Sequence, residues 1–409
     1  MKSPTKAKNQ PTGKLGVWIF GAMGGLATTM VVGARSIARG KSGAQGLLTE
    51  TEEFSGLSLQ GLDGLVFGGH EVRKGTIQDA ADEIHKQTGT IPYELIRSLS
   101  ADLRKITNNL RPGCLINAGK TITKLSGTRV RKGATLRKEA NRLVRDIKDF
   151  MVRNKLKRCV CVNLTSTEPK LRLTKAHDTA RGIEKILDDN RTTAVRPSAI
   201  YAYAAAQLGL PFIHFTPSNA ALVPGIREIF ELNEAPNMGC DGKTGETLVK
   251  SSLAPMFKYR NLKVLTWQGY NILGDRDGVV LADQENRSSK IESKDALLSK
   301  ILGYPLHTHV GIDYVPSLND LKTAWDFIHF QGFLDYKMTM QFTWQGCDAI
   351  LAAPIVLDMV RFADLAKRRG EVGPMSHLSC YFKSPLDIDQ HDLHLQWHLM
   401  TDYLRKSSS

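Results

Sequence analysis

Residues 16–37 join a short apolar run, a glycine-rich turn and a longer apolar run without interruption. Residues 16–20 predict a buried strand, and residues 21–29 read Gly-Ala-Met-Gly-Gly-Leu-Ala-Thr-Thr. The apolar run then continues as a predicted helix to about Ile37. A strand, a glycine turn and a helix in this order are the setting of a dinucleotide-binding fingerprint, because glycine lets the backbone approach a pyrophosphate at the helix N-terminus. The segment therefore predicts a nucleotide-binding α/β domain.

The same segment has a second interpretation, because lysines near the start of the chain precede an uncharged run over residues 16–34. A signal peptide or a membrane anchor begins in this way. Gly21, Gly24 and Gly25 interrupt the run, and a phosphate-binding turn accounts for them better than a membrane helix does. We therefore expect no membrane association, and we expect residues 1–13 to form a disordered basic tail.

Strand-like and helix-like segments alternate along much of the chain. Strands are expected at residues 64–67, 159–164 and 211–216, and helices at residues 197–208 and 351–367. This alternation predicts a Rossmann-like doubly wound parallel sheet. The ligand crevice of such a sheet lies at the carboxyl ends of its strands.

Polar residues follow several of the predicted strands, where a cofactor would lie. Thr165 and Ser166 come directly after one strand, and residues 216–219 follow another. Asp63 and Glu71 are weaker candidates for a ribose contact, because Glu71 lies further from the glycines than the usual interval of about 20 residues.

The pattern changes after about residue 247. Strands are expected at residues 264–267, 308–315 and 338–342, a helix is expected to include residues 325–329, and a last strand is expected near residues 378–382. The middle segments predict a mixed α/β insert within the parallel-sheet domain.

The charge balance is strongly positive, with 55 Lys and Arg against 41 Asp and Glu. The surplus favours a polyanionic partner or a phosphorylated ligand without choosing between them. Residues 75–158 are helical in pattern and basic. We favour solvated amphipathic helices over a nucleic-acid surface in this region, because no helix-turn-helix, zinc-finger or aromatic stacking motif accompanies the charge.

The cysteines and histidines give little sign of metal chemistry. None of the six cysteines forms a Cys-X-X-Cys pair, so zinc ligation and a disulfide framework are not expected and a reducing cytoplasm fits best. His214, His307 and His309 lack metal-ligand spacing, and structural histidines are favoured over an acid–base or metal cluster.

Eight motifs occur in order along the chain. They read Gly-Ala-Met-Gly-Gly-Leu-Ala-Thr-Thr at 21–29, Val-Asn-Leu-Thr-Ser-Thr-Glu-Pro at 162–169, Pro-Ser-Asn-Ala-Ala-Leu-Val-Pro-Gly at 217–225, Gly-Cys-Asp-Gly-Lys-Thr-Gly-Glu-Thr at 239–247, Tyr-Asn-Ile-Leu-Gly-Asp-Arg-Asp-Gly at 270–278, Tyr-Val-Pro-Ser-Leu-Asn-Asp-Leu-Lys at 314–322, Ala-Ala-Pro-Ile-Val-Leu-Asp at 352–358 and Phe-Lys-Ser-Pro at 382–385. Together they resemble the myo-inositol-1-phosphate synthase family, and most closely its shorter prokaryotic and archaeal members. The resemblance covers residues 15–71 and 159–386.

The resemblance implies an NAD-dependent isomerase that converts D-glucose 6-phosphate to 1L-myo-inositol 1-phosphate, the first step of inositol biosynthesis. Bound NAD oxidises C5, the ketone enolises, C6 attacks C1 in an intramolecular aldol step, and the same NADH reduces the product. A homotetramer is also implied, and a divalent or monovalent cation is left open. Nucleic acid is not required.

The same resemblance implies four functional lysines. Ammonium groups in a closed site stabilise a phosphate and developing oxyanions, and they donate protons. Lys290 is expected to serve the C5 oxygen and the redox steps, and Lys383 the C1 oxygen during cyclisation. Lys294 and Lys322 are expected to hold the phosphate or to share proton transfer.

The remaining implied site residues surround these lysines. Asp348 and Asp277 are implied near the substrate and the nicotinamide, and Asn271 and Leu273 are implied as substrate contacts. The implied cofactor contacts are Gly21, Ala22, Met23, Gly24, Gly25, Leu26, Ala27, Thr165, Ser166, Asn219, Asp241 and Asp275. The roles of Lys243 and Lys250 stay open, although Lys243 is placed near the cofactor.

The family organisation implies a cofactor domain built from both ends of the chain. Residues 14–247 and 352–409 would form the Rossmann-like domain, and residues 248–351 an α+β domain for catalysis and tetramer formation. The alternatives are a different NAD-dependent oxidoreductase or cyclase on a sugar phosphate, which would release reduced cofactor, and a nucleic-acid-binding protein.

Overall fold

A computed structural model describes residues 11–129, 133–274 and 297–406 of the 409-residue chain. Its larger sheet has seven parallel strands in the order β11-β6-β5-β4-β1-β2-β3. These strands are β1 (Leu15–Phe20), β2 (Leu65–Glu71), β3 (Leu110–Pro112), β4 (Arg158–Asn163), β5 (Phe212–His214), β6 (Pro236–Met238) and β11 (Gly373–Pro374). The strand order reverses on either side of β1, which is the topological switch point where doubly wound sheets bind ligands.

The central strands are buried on both faces. All residues of β1 are buried, and β4 is buried from Cys159 onward. Near-continuous apolar runs of this kind are typical of parallel strands covered by helices on both sides. Gly69 in β2 lets β2 approach β1, because a Cβ there would lie 2.1 Å from the carbonyl oxygen of Ile19.

Most helices of the described residues cover the two faces of the parallel sheet, and one of them covers the second sheet described below. They are α1 (Gly25–Ala38), α2 (Ile77–Thr88), α3 (Tyr93–Ser98), α4 (Ser100–Thr107), α5 (Lys120–Ser126), α6 (Leu136–Arg153), α7 (Ala180–Asp188), α8 (Pro197–Gln207), α9 (Pro224–Leu232), α10 (Gly245–Tyr259), α11 (Asp348–Arg368) and α12 (Leu393–Lys406). One core contains residues of α1, α2 and α11, and the other contains residues of α6, α8 and α9. Because α11 packs against α1, the two ends of the chain build one domain around the cofactor turn.

A second, four-stranded sheet has the order β10-β9-β7-β8. Its strands are β7 (Lys263–Leu273), β8 (His307–Tyr314), β9 (Leu321–Gln331) and β10 (Lys337–Cys347). Only the β7–β8 pair is parallel. Helix α10 and the helical residues 297–302 cover one face of this sheet. A doubly wound parallel sheet interrupted by a second α/β unit is therefore confirmed.

Two sequence predictions of local structure are wrong. Residues 325–329 are not helical, because they lie within β9, where buried Ala324, Asp326 and Ile328 alternate with more exposed neighbours. This period of two places one side of the strand on α10 and the other away from it. The strand predicted near residues 378–382 is instead a turn of 3₁₀-helix, Ser376–Tyr381, and the last strand of the parallel sheet precedes it.

The predicted domain boundaries fall inside helices. The 247/248 boundary lies within α10, and the 351/352 boundary lies within α11. Both helices thus connect the two sheets without a break, and the assignment of residues 248–351 as a separate unit stays a prediction. None of the helices among the described residues is long and apolar enough to cross a membrane.

Candidate functional site

A cleft of about 360 Å³ lies at the carboxyl ends of β1, β2 and β4. This is the location that the doubly wound topology predicts for a ligand. Its walls come from the glycine turn, the segment after β4, the loop before α10 and the first turn of α11. The cleft therefore extends from the parallel sheet to the start of the inserted sheet.

The glycine turn forms the floor of the cleft. Gly21 has a φ of +83°, and a Cβ there would lie 3.0 Å from the carbonyl oxygen of Leu164. Helix α1 begins after Gly24 with no side-chain cap and no acidic residue in its first turn. Its free N–H groups and its positive dipole end suit a pyrophosphate.

The predicted cofactor residues of this turn divide into two groups. Gly21, Met23, Gly24, Gly25 and Leu26 line the cleft. Ala22 and Ala27 do not line it, because their side chains are buried in the core beneath the turn.

Glu71 lies at the carboxyl end of β2, and its carboxylate is bound by three backbone N–H groups. It accepts hydrogen bonds from the amides of Met23 at 2.7 Å, Val72 at 2.8 Å and Arg73 at 3.0 Å. Asp63, the other weak candidate, precedes β2 and lies at the opposite end of that strand. The structure thus places Glu71, and not Asp63, where an acidic residue can meet the ribose of a dinucleotide.

The opposite wall follows β4 and includes the predicted contacts Thr165 and Ser166. Glu168 also lines this wall, although it is buried. Its carboxylate accepts a 2.8 Å hydrogen bond from the backbone of Ser198, at the start of α8, and burial raises the pKa of Glu168 to about 7. Asn219, another predicted cofactor contact, does not line the cleft. Its side-chain oxygen accepts from the N–H of Leu171, and its side-chain nitrogen donates to the carbonyl oxygen of Leu171, both at 2.9 Å.

Lys383 and Asp241 form an ion pair at the far wall of the cleft. Lys383 Nζ donates to Asp241 Oδ1 at 3.0 Å, and both residues are buried and line the cleft. The other carboxylate oxygen of Asp241 is also buried and has no hydrogen-bond partner among the described residues. The pair therefore places an ammonium at the cleft and holds it beside a carboxylate, and a positioned ammonium can donate a proton to a sugar oxygen.

A second ion pair lies at the start of α11. Lys322 Nζ donates to Asp348 Oδ2 at 3.2 Å, and Asp348 lines the cleft beside Asp320. The Sγ of Cys347 donates to Asp320 at 2.8 Å. The predicted residues Asp241, Asp348 and Lys383 thus line the same cleft, and Lys322 is linked to it through its ion pair with Asp348.

Of the two predicted substrate contacts in β7, one lines the cleft and the other does not. Leu273 lines the cleft, whereas the Asn271 amide nitrogen donates to Glu246 at 2.6 Å in a buried position. Glu246 also accepts from Lys250, so the open question about Lys250 is answered by a buried ion pair. Asp326 completes this cluster, and its burial raises its pKa to about 6.

Four predicted site residues, Asp275, Asp277, Lys290 and Lys294, lie outside the described residues. Within the described ranges, no group of three or more His, Cys, Asp or Glu side chains could hold a metal ion. His214 is buried in the larger sheet, where Nε2 lies 2.7 Å from the carbonyl oxygen of Ser218. His307 and His309 belong to β8 of the other sheet, so the three histidines form no cluster.

Several residues of the cleft were not predicted from the sequence. Arg73 lines the cleft and donates to the carbonyl of Met23, and Tyr201 lines it from α8. Glu168 and Asp320 lie within the sequence motifs, but nothing in the motifs distinguishes them from their neighbours. A polar residue just after a strand was a usable signal for Glu168, whereas nothing in the sequence indicated Tyr201.

The fold and the cleft define a dinucleotide-dependent enzyme of the doubly wound α/β class. The glycine turn, the uncapped start of α1 and Glu71 fit NAD, and the paired lysines fit an anionic substrate. Over residues 15–405 the sequence matches the family described as myo-inositol-1-phosphate synthase. The chain therefore belongs to the myo-inositol-1-phosphate synthase family, and its cofactor is NAD.

Known relatives agree with this assignment. The chain is 34% identical to inositol-3-phosphate synthase 1 of Bacteroides thetaiotaomicron, over 96% of this chain and 95% of that protein. It is 28% identical to inositol-3-phosphate synthase isozyme 1 of Arabidopsis thaliana, over 87% of this chain and 75% of that protein.

Solved structures share the fold. Inositol-3-phosphate synthase from Caenorhabditis elegans superposes with a TM-score of 0.87 at 22% identity, over 98% of this chain and 87% of that one. A myo-inositol-1-phosphate synthase-related protein from Thermotoga maritima superposes with a TM-score of 0.78 at 20% identity, over 95% of this chain and 98% of that one.

Proposed function

We propose that this chain converts D-glucose 6-phosphate to 1L-myo-inositol 1-phosphate and recycles its NAD within each turnover. The observation that carries the proposal is that one cleft unites the dinucleotide turn with the Asp241–Lys383 pair. An enzyme that oxidises and cyclises the same sugar needs a hydride acceptor and a proton donor at one substrate. NAD, when bound, takes the hydride from C5 and returns it after cyclisation.

The chain's own residues have distinct proposed roles in this reaction. The Lys383 ammonium donates to the oxygen at C1 as negative charge develops there, and Asp241 holds the ammonium in place. Lys322, paired with Asp348, binds the substrate phosphate or passes protons. The buried walls exclude water, which strengthens each of these charge interactions.

Lys290, Lys294, Asp275 and Asp277 keep the roles that the sequence motifs indicate for them. Lys290 serves the C5 oxygen, and Lys294 shares phosphate binding with Lys322. Asp277 is proposed near the nicotinamide, and Asp275 is proposed as a cofactor contact. Asp275 and Asp277 follow β7 directly in the sequence, and Leu273 at the end of β7 lines the cleft, which supports the assignment of these two residues.

A product assay tests the proposal. The purified protein is incubated with glucose 6-phosphate and NAD, and both inositol phosphate and NADH are measured. We expect inositol phosphate to form without accumulation of NADH. Stoichiometric NADH without inositol phosphate would instead identify an oxidoreductase that releases its cofactor, and salt-sensitive DNA binding without either product would favour a nucleic-acid-binding protein.

The assembly is proposed to be a homotetramer that forms through the inserted sheet. The sheet face turned away from α10 carries an aromatic row of Tyr270, Trp325 and Phe327, flanked by His309 and His329. Tyr270 and Trp325 stack with their ring centroids 6.0 Å apart, yet they are 42% and 38% exposed. An exposed apolar face of this kind is typical of a protein–protein interface.

A cytoplasmic location is proposed as well, because all six cysteines are free thiols.

Replacing Trp325 with lysine is expected to dissociate the tetramer, because the change buries an unpaired charge at the centre of the aromatic row. Light scattering coupled to size-exclusion chromatography measures the mass in solution. Val152→Lys is the matched control, since Val152 is exposed on α6, far along the chain from this sheet. An unchanged mass for Trp325→Lys would rule out this face as the interface.

A further inference from the structure

Lys243 is a buried lysine that the proposed mechanism does not use. It lies between β6 and α10 and is 1% exposed, and its Nζ donates a 2.5 Å hydrogen bond to Oε1 of Gln396. Gln396 is buried on α12, where its amide nitrogen donates to the carbonyl of Gln390. Both ends of the glutamine amide are therefore engaged, and its orientation is fixed. The sequence placed Lys243 near the cofactor, but the ammonium points to the C-terminal helix.

The loop that carries Lys243 is also paired with the segment that carries Lys383. The backbone N–H of Lys243 donates to the carbonyl of Tyr381 at 2.8 Å, and that of Lys383 donates to the carbonyl of Asp241 at 2.7 Å. The side chains of Asp241 and Lys383 then form their own ion pair. A shift of Lys243 would therefore move both members of that pair.

Packing alone does not account for a lysine at this position. Burying an ammonium is unfavourable unless strong partners compensate, and an apolar side chain of equal length would fill the space without that penalty. The titratable groups that face the ammonium among the described residues are Cys380, Asp392 and His391. Asp392 already accepts the hydroxyl of Tyr259. The buried charge of Lys243 is thus not explained by a gain in folding stability.

We propose that Lys243 is a positioning residue, whose hydrogen bond to Gln396 holds the Asp241 loop so that the Lys383 ammonium stays at the reacting oxygen. This inference rests on the proposed function of Lys383. Through this hydrogen bond, α12 helps to hold the Asp241–Lys383 pair in place. Deprotonation of Lys243 weakens the support, because a hydrogen bond from an ammonium is about twice as strong as one from a neutral donor.

The first test is Lys243→Met, which keeps the side-chain length and removes the charge and the donor. We expect kcat to fall about 100-fold, because a misplacement of about 1 Å has effects of that size. The dissociation constant of NAD should stay within about twofold, since Lys243 does not line the cleft. The melting temperature should be unchanged or higher, because a buried charge has been removed. A purely structural lysine would instead give a lower melting temperature with a normal kcat.

The second test is the pH dependence of kcat in Gln396→Glu. Burial lowers the pKa of Lys243 to about 8, so the wild-type enzyme should lose its supporting charge as the pH rises through that value. A carboxylate at position 396 favours the ammonium and should move this alkaline decline upward by about one pH unit or more. Gln207→Glu adds the same charge at an exposed position of α8 and should leave the pH profile unchanged.

The outcomes separate the two proposals. A wild-type protein that makes no inositol phosphate overturns the proposed function together with this inference. An active wild type whose Lys243→Met variant keeps kcat within about threefold overturns the positioning role alone. Should Lys243→Met not fold, the pH profile of Gln396→Glu decides, because an unmoved alkaline decline is incompatible with a supporting charge on Lys243.

Discussion

Lys383→Met is expected to lower kcat by about three orders of magnitude or more while NAD binding stays within about threefold of the wild-type value. The ammonium of Lys383 is proposed to donate to the C1 oxygen in the cyclisation step, and methionine has no proton to donate at that position. Because the side chain pairs with Asp241 and not with the glycine turn, the contacts of the pyrophosphate with that turn remain. Steady-state product formation at saturating glucose 6-phosphate and NAD titration measure the two quantities.

The matched control for this change is Lys185→Met. Lys185 is exposed on α7 and does not line the cleft, so the variant should keep the wild-type kcat. Lys290→Ala is expected to behave as Lys383→Met does, on the strength of its motif. If Lys383→Met keeps a rate near that of Lys185→Met, Lys383 does not act in catalysis.

Gly21→Val is expected to weaken NAD binding by about 100-fold or more. The φ of Gly21 is +83°, a region that a β-branched residue adopts only with strain. A Cβ there also meets the carbonyl oxygen of Leu164 at 3.0 Å, so the turn must shift at the floor of the cleft. Displaced N–H groups at the start of α1 lose their approach to the pyrophosphate. Calorimetric titration with NAD measures the loss.

Gly33→Ala provides the comparison for that change. Gly33 lies within α1, and a Cβ there has open space, so alanine should leave NAD affinity unchanged and favour the helix by about 0.5–1 kcal/mol. Circular dichroism verifies that Gly21→Val keeps the native fold. Undiminished NAD affinity in folded Gly21→Val would show that the dinucleotide does not lie on this turn.

The centre of the parallel sheet could be predicted, because β1 and β4 are compact apolar runs that are buried on both faces, whereas the short strands β3, β6 and β11 carry no such run. Residues 16–20 and 159–164 carry this signal and were assigned correctly. The strand β9 could not be recognised in the same way, since one of its faces packs on α10 and the other bears Trp325, Phe327 and His329. With large rings at both buried and exposed positions, the period of two was obscured and a helix was predicted.

The site was predictable where its residues directly follow strands or stand in recognised motifs. Thr165, Ser166 and Lys383 are of this kind, and each lines the cleft. The directions of side chains were not predictable, as Asn219 and Asn271 show, because their amides are engaged by contacts that tertiary packing decides. The Lys243–Gln396 bond joins residues 153 positions apart, so no local pattern could reveal it.

The basic surplus of the chain now has a partial explanation. Lys322 and Lys383 are paired with Asp348 and Asp241, and both of these acidic residues line the cleft. In the basic region over residues 75–158, Arg137 and Arg142 are paired with neighbouring acidic side chains in the structure. These ion pairs favour the interpretation of that region as solvated helices over that of a nucleic-acid surface.

The central claim is that each turnover returns the hydride to the product, and the yield of product per NAD tests it most directly. The enzyme is supplied with one NAD per chain and an excess of glucose 6-phosphate. We expect more than about ten molecules of inositol phosphate per NAD, because typical turnover rates allow many cycles within minutes. The NADH absorbance should not persist. A yield that stops at one oxidised product per NAD, with all of the cofactor left as NADH, would contradict the account.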